Sequence, residues 1–336
     1  MTVIDAHTHF SPVPYLSKIK SAPTAEERQI EIHMRPALER IPHATDVEKR
    51  LADLDKYQID YEVATIQPTL DPNLLPVKDD KLIEYCRSAN DSMAKMMNDS
   101  KGRIYSMGSI PINTPEGDAI DEMRRAVKDL GMRGFSVLSN IRGTPVDEFD
   151  FIWAEANRMG VPVWIHPADT PPNQCRRYED EYDLLHVLGW PYETAILLSR
   201  LVLSGKIDKY PNTKVVSHHL GGMIPYLAGR LSESYDGKTI AKPDQTPARL
   251  SKSSVLDYFK SNFCYDTAVG GSQAAIKCCL DTFGLDSIVF ATDYPWGPDG
   301  GRSRLATYPG KVRSIKLPKE DEEKILSGNI SKVMRL

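Results

Sequence analysis

Eight short runs rich in β-branched and aromatic residues are spaced along the chain, at 2–6, 61–67, 104–110, 133–138, 161–166, 213–218, 262–267 and 287–293. Several, such as Val215-Val216 and Ile288-Val289-Phe290, are apolar at consecutive positions rather than alternating, as in strands buried on both faces. Between them apolar residues recur at helical spacing over 44–58, 114–131, 146–160 and 195–211. The first of these helices opens on Thr45 or Asp46 as N-cap, and the second opens on Thr114-Pro115 and closes at Gly131. The third closes at Gly160, and the fourth stops at Pro211. Eight strand-plus-helix units predict an α/β chain folded as a (β/α)8 barrel. An open doubly wound sheet is the alternative, but neither GxGxxG nor GxxxxGK[ST] follows any strand. Residues 11–45 are Pro-rich and weakly periodic and read as an insertion over one barrel mouth. Residues 296–316, rich in Gly, Pro, Ser and Arg, read as a long loop. No repeat or low-complexity tract interrupts the pattern, so residues 1–336 are expected to form a single domain.

Charge removes several classes of function. The 46 acidic and 42 basic residues leave a net charge of −4, with no basic excess for nucleic acid or an anionic membrane. No apolar run reaches the roughly 20 residues needed to span a bilayer. The N-terminus lacks the basic start and apolar core of a secretion signal. The five cysteines (Cys86, Cys175, Cys264, Cys278 and Cys279) form no CxxC pair, and an odd count predicts reduced, structural thiols and a cytoplasmic protein.

In a barrel of this kind the chemistry lies at the C-terminal ends of the strands. The first strand ends in His7 and His9, the fifth in His166, the sixth in His218 and His219, and the eighth in Asp293. His7 and His9, two residues apart, project to the same side of a strand. Five of the eight histidines thus fall at three strand ends. One buried, hydrogen-bonded histidine is unremarked in any core, but an apolar core gains nothing from concentrating imidazoles. Three histidines and a carboxylate suit Zn²⁺ or a similar divalent ion, with a position left for water or substrate. His33, His43 and His186 read as surface or packing residues, although His186 precedes "GWPYET" and could line a pocket.

With those strand ends in place, the chain resembles the amidohydrolase superfamily. More narrowly, it is similar to the branch that holds 2-amino-3-carboxymuconate-6-semialdehyde decarboxylase and related aromatic-acid decarboxylases. The blocks "IDAHTHF", "VEKRLADLD", "GWPYETA", "HHLGGMIPYLAGR" and "ATDYPWG" occur in that family's order over nearly the whole chain. The resemblance implies that His7, His9, His166 and Asp293 hold one divalent metal ion, Zn²⁺ foremost and Mn²⁺ as the alternative. It implies that His219 and Asp293 are catalytic, that Arg50 and Arg230 bind the substrate carboxylate, and that Trp296 lies in the substrate site. Arg230 would come from the neighbouring subunit of a homodimer. His218 is then an extra residue, expected on the other side of its strand in a structural role. Spacing alone would put Arg50 on a solvated helix face, beside Asp53.

Two positions depart from the decarboxylase pattern: Leu220 stands where it has glycine, and Ala168 where it has tryptophan. Substrate identity therefore does not transfer. The fourth strand ends "SVLSNIRG" without the lysine that bridges two metals in binuclear relatives, which implies a single ion. The expected reaction is non-oxidative decarboxylation of an aromatic or unsaturated, carboxymuconate-like acid. A metal-dependent hydrolase or hydratase acting through metal-bound hydroxide is the alternative. A non-catalytic binding barrel is disfavoured because no expected ligand is replaced by an inert residue.

Overall fold

The computed structural model describes residues 1–169, 181–237 and 247–336. Its first strand carries the irregularity that places the site. β1 (Ile4–Phe10) runs parallel to β2 (Tyr61–Ile66), with Asp5 opposite Glu62 but Thr8 opposite Ala64. Ala6 and His7 together therefore face the single Val63, a bulge that shifts the inward phase of the strand by one residue. Before it, Ile4 and Ala6 pack inside the barrel with Val63, Trp164 and Val216. After it, the inward positions are His7 and His9. The Trp164 indole N–H donates to the Ala6 carbonyl oxygen at 2.9 Å, across the barrel interior from the bulge.

The ladder continues in parallel through β3 (Ile104–Ser106). A second parallel set joins β4 (Phe135–Leu138), β5 (Val163–His166), β6 (Val215–Ser217), β7 (Phe263–Asp266) and β8 (Ile288–Val289) in that order. Two seams close the ring. At one, Gly108 N donates to Gly134 O (2.9 Å) and Ser136 N to Gly108 O (3.0 Å). At the other, Ala6 N donates to Phe290 O (2.9 Å), Asp293 N to His7 O (3.0 Å) and His9 N to Tyr294 O (2.7 Å). The expected eight-stranded barrel is thus formed. Its larger core lies between strands and helices, around Leu54, Met93, Met123, Phe135, Trp153, Leu198 and Phe263. A smaller one fills the interior and packs against Ile330 and Met334 of the last helix. No helix among the described residues is long and apolar enough to cross a membrane.

Three expectations change. Residues 11–45 carry two helices, Val13–Lys20 and Ala25–Arg40, the second opened by a Thr24/Glu27 capping box. Its periodicity is weak in sequence because two of its buried positions are acidic, Glu27 and Glu31, beside Met34 and Leu38. Most of the supposed loop at 296–316 is the helix Arg302–Arg313, whose packing face (Leu305, Tyr308, Val312) is disguised by Pro309 and Gly310. The helix at 195–211 starts earlier and ends at Leu203, with a short turn Lys206–Lys209 beyond Gly205, where φ is +75°. Cys175 lies outside the described residues, and the other four cysteines are unpaired thiols.

Candidate metal centre

His7 Nε2 and His9 Nε2 lie 3.0 Å apart, and Asp293 Oδ1 lies 3.2 Å from His9 Nε2 and 3.7 Å from His7 Nε2. The donor atoms of His7, His9 and His166 all fall within 4.8 Å of one another, as do those of His7, His219 and Asp293. In each ligand histidine the other ring nitrogen is already engaged. His166 Nδ1 donates to Pro167 O at 2.6 Å, His9 Nδ1 meets Thr65 Oγ1 at 2.9 Å, and His7 Nδ1 lies 2.8 Å from Asp266 Oδ2. A carbonyl only accepts, so His166 carries its proton on Nδ1 and presents a bare Nε2; a proton on His7 Nδ1 would face the Asp266 carboxylate and leave its Nε2 bare as well. Lone pairs converging at 3.0 Å repel unless a cation lies among them. The donor set therefore fits a single divalent ion held by His7, His9, His166 and Asp293.

The electrostatics agree. Burial, reinforced by the neighbouring His218, pushes the His7 imidazole down to about 3, so it is neutral as a ligand must be. Burial and four surrounding histidines hold His166 well below its ordinary value. Burial opposes ionisation of Asp293, but its hydrogen bond with His9 and the pull of His7 outweigh that and keep its carboxyl well below the carboxylate range. Asp266 is likewise held low against its own burial, by His7 and His218.

The turn after β6 brings two histidines to the site. His219 has φ +55° and Leu220 φ +52°, both in the left-handed region. Glycine adopts that region without cost, which is a physical reason for the family's glycine at the Leu220 position. The His219 ring stands 5.7 Å from that of His7 and 5.8 Å from that of His166. His218 does not turn to the other side of its strand. It is buried and stacked on His7 with ring centroids 3.3 Å apart, its Nδ1 2.6 Å from the same Asp266 oxygen. Strand pairing stops at Ser217, so alternation no longer governs the next two residues.

A cavity of about 670 Å³ opens above these groups. His9, His166 and Asp293 line it, with Trp190 and Trp296 among its aromatic side chains. Trp296 is in the lining, its Nε1 donating to Gln67 Oε1 at 2.7 Å. His186 and His33 also line it, whereas His43 packs on Tyr294 and bonds the Gly300 carbonyl oxygen at 2.7 Å. Arg230 is exposed on the helix Ile224–Tyr235 and is absent from the lining of this chain's cavity.

Arg50 requires a correction. It is 0 % exposed and does not line the cavity. Its Nε bonds Glu62, its Nη1 donates to His9 O at 2.9 Å, and its guanidinium lies 4.6 Å from the Tyr294 ring centre. Helical spacing cannot tell a solvated face from one packed under strand ends, and here the face is packed. Arg50 supports the His9 backbone and neutralises a buried acid. Arg50→Ala should therefore destabilise the fold by about 3–5 kcal/mol in urea unfolding, because Glu62 is left charged and unpaired. Combining it with Glu62→Gln should recover part of that loss; a single-variant cost below about 1 kcal/mol contradicts this assignment.

Asp266 was legible but passed over: it ends the strand predicted at 262–267, the rule that singled out Asp293. Arg304 was hidden in the supposed loop. Its Nη1 donates to Asp293 Oδ2 at 2.8 Å.

A closed parallel barrel with histidine and aspartate at the ends of its first, fifth, sixth and eighth strands is the architecture of metal-dependent barrel hydrolases and lyases. The family model described as Amidohydrolase matches residues 4–336, and the chain belongs to that family. It is 26% identical over 288 residues to 2-amino-3-carboxymuconate-6-semialdehyde decarboxylase of Dictyostelium discoideum, covering 84% of this chain and 75% of that protein. It is 30% identical over 227 residues to a gamma-resorcylate decarboxylase of Rhizobium sp., covering 64% of this chain and 67% of the relative. Among solved structures, 5-carboxyvanillate decarboxylase from Sphingomonas paucimobilis superposes with a TM-score of 0.83 at 22% identity, over 100% of this chain and 99% of that one. A likeness at that identity shows the barrel fold. The corresponding enzyme from Novosphingobium aromaticivorans, 24% identical with a TM-score of 0.82 over 100% of this chain and 96% of that one, was solved with manganese.

Proposed function

We propose that this chain is a metal-dependent, non-oxidative decarboxylase of an aromatic or unsaturated carboxylic acid. The observation that carries the reading is the convergence of the His7, His9 and His166 donor atoms, with Asp293 against His7 and His9, beside a tryptophan-lined cavity, in a chain whose relatives include decarboxylases. A bound divalent ion orients the substrate's oxygens and stabilises developing negative charge. Zn²⁺ is the first choice for a His₃Asp set, and Mn²⁺ is accepted by the same donors.

The chain's own groups then handle the proton. Asp293 lines the cavity, and the His219 ring stands 5.7 Å from that of His7 and 5.8 Å from that of His166; these two groups would supply the proton to the carbon that bears the carboxylate. A proton added there makes that carbon tetrahedral. The bond to the carboxylate then breaks, its electron pair restores the conjugated system, and CO₂ leaves with a proton in its place. Trp190 and Trp296 offer flat apolar surface to the ring.

The same reading includes a cytoplasmic homodimer with Arg230 reaching the neighbouring site. Its support is an exposed stripe of Val187, Leu188, Tyr192 and Ile196, with Tyr226 84% exposed one turn before Arg230. Sedimentation of the purified chain as a monomer at micromolar concentration contradicts the dimer.

Metal removal tests the reaction. Protein stripped with a chelator should release no CO₂ from hydroxybenzoates, carboxymuconates or pyrimidine carboxylates, and one equivalent of Zn²⁺ or Mn²⁺ per chain should restore release. Cleavage of an ester or lactone by metal-loaded protein that releases no CO₂ from any of these substrates moves the chain to the hydrolases.

A further inference from the structure

Two arginines line the cavity, and they are not equivalent. Arg304 is committed: its Nη1 donates to Asp293 Oδ2 at 2.8 Å and to Thr292 O at 3.2 Å. Gly297 makes room for it, since a Cβ at that position would stand 2.4 Å from Arg304 Nε. Arg40 ends the helix Ala25–Arg40 and is exposed to the cavity without an ion pair or hydrogen bond to any described residue. That helix is buried at Glu27, Glu31, Met34 and Leu38, and its residues His33, Met34, Pro36, Ala37 and Arg40 line the cavity.

The charges of the lining follow the same division. Asp293 is matched by Arg304, and Asp183 is hydrogen-bonded to His186, which carries a charge only when protonated. Arg40 is the one arginine of the lining without an ion pair among the described residues, and a divalent metal at the floor would add further positive charge. A monocarboxylate meeting the metal leaves Arg40 unmatched at the rim. A second acidic group on the far side of the ring matches it, through the planar bidentate contact that guanidinium makes with carboxylate.

We propose that Arg40 reads a second acidic group on the substrate, so that this site takes an aryl dicarboxylate in preference to an aryl monocarboxylate. The inference rests on the cavity above the metal ligands being the substrate site, and it names the substrate class within that reading.

Binding tests it without requiring turnover. Benzoate, isophthalate and terephthalate are titrated calorimetrically into metal-loaded wild type, R40Q and R40K. In the wild type at least one dicarboxylate should bind about tenfold or more tightly than benzoate, the scale of one charge-assisted contact. R40Q should bring that ratio to within about twofold, and R40K should keep most of it. Equal binding of all three acids by the wild type, no binding of any, or an unchanged ratio in R40Q overturns the proposal. Metal content and circular dichroism of R40Q establish that the variant is folded and loaded. CO₂ release is assayed separately. A preference that depends on Arg40 in a protein that releases no CO₂ sinks the reaction but not the subsite, and CO₂ release without the preference does the reverse.

Discussion

Asp293→Asn is expected to lower kcat by at least about a thousandfold while the barrel stays folded. Asparagine keeps the shape of the side chain, so the turn at φ +65° and the backbone bond from Asp293 N to His7 O survive. It removes the charge, however, and with it two functions at once. One oxygen faces the imidazoles of His9 and His7, where an anionic ligand belongs, and the other accepts from Arg304. An amide is a poor ligand for a divalent ion and cannot move a proton at neutral pH, and positioned acid–base catalysis alone contributes about 10²–10⁴-fold. Metal analysis separates the two losses. A variant that holds one ion per chain under excess metal and still fails to turn over has lost the proton step. A variant rescued by raising the metal concentration has lost only a ligand. Turnover within tenfold of wild type at ordinary metal levels removes Asp293 from the machinery.

What the chain discloses before folding follows from the range of each interaction. The barrel was legible because eight apolar runs separated by helical patterns leave few alternatives. The candidate metal ligands stand out in the sequence because polar groups gather at strand ends: His7 and His9 at the first, His166 at the fifth and Asp293 after the eighth. The bulge at Ala6 and His7 was not, since it exists only in pairing with β2. Arg50 looks solvated in sequence because its partners, Glu62 and the His9 carbonyl, are brought to it by the tertiary fold. The helix over the cavity was obscured for a related reason: Glu27 and Glu31 occupy its buried face, so hydrophobic periodicity understates it. His218 shows the limit of strand alternation, which ends with the ladder at Ser217.

Asp266→Asn should weaken metal binding about tenfold to a hundredfold, the cost typical of losing an outer carboxylate that orients a ligand histidine. One Asp266 oxygen lies 2.8 Å from His7 Nδ1 and 2.6 Å from His218 Nδ1. The other accepts from the backbone amides of His219 and Ala268, both at 3.0 Å. An asparagine amide cannot serve both sides. If its oxygen keeps the two amide bonds, its NH₂ faces two Nδ1 atoms that should be donors, and His7 must move its proton to Nε2, the atom the metal needs. If the group flips, its NH₂ opposes two backbone N–H donors and the turn that presents His219 is loosened. Either outcome lowers metal affinity, which competition with a chromogenic chelator measures directly. Asp266→Ala leaves the His218 Nδ1 and the backbone amides of His219 and Ala268 without their acceptor and should also destabilise the fold, by about 1–3 kcal/mol for each donor left unsatisfied. A metal Kd within twofold of wild type for Asp266→Asn, with the fold intact, breaks the link from Asp266 through His7 to the ion.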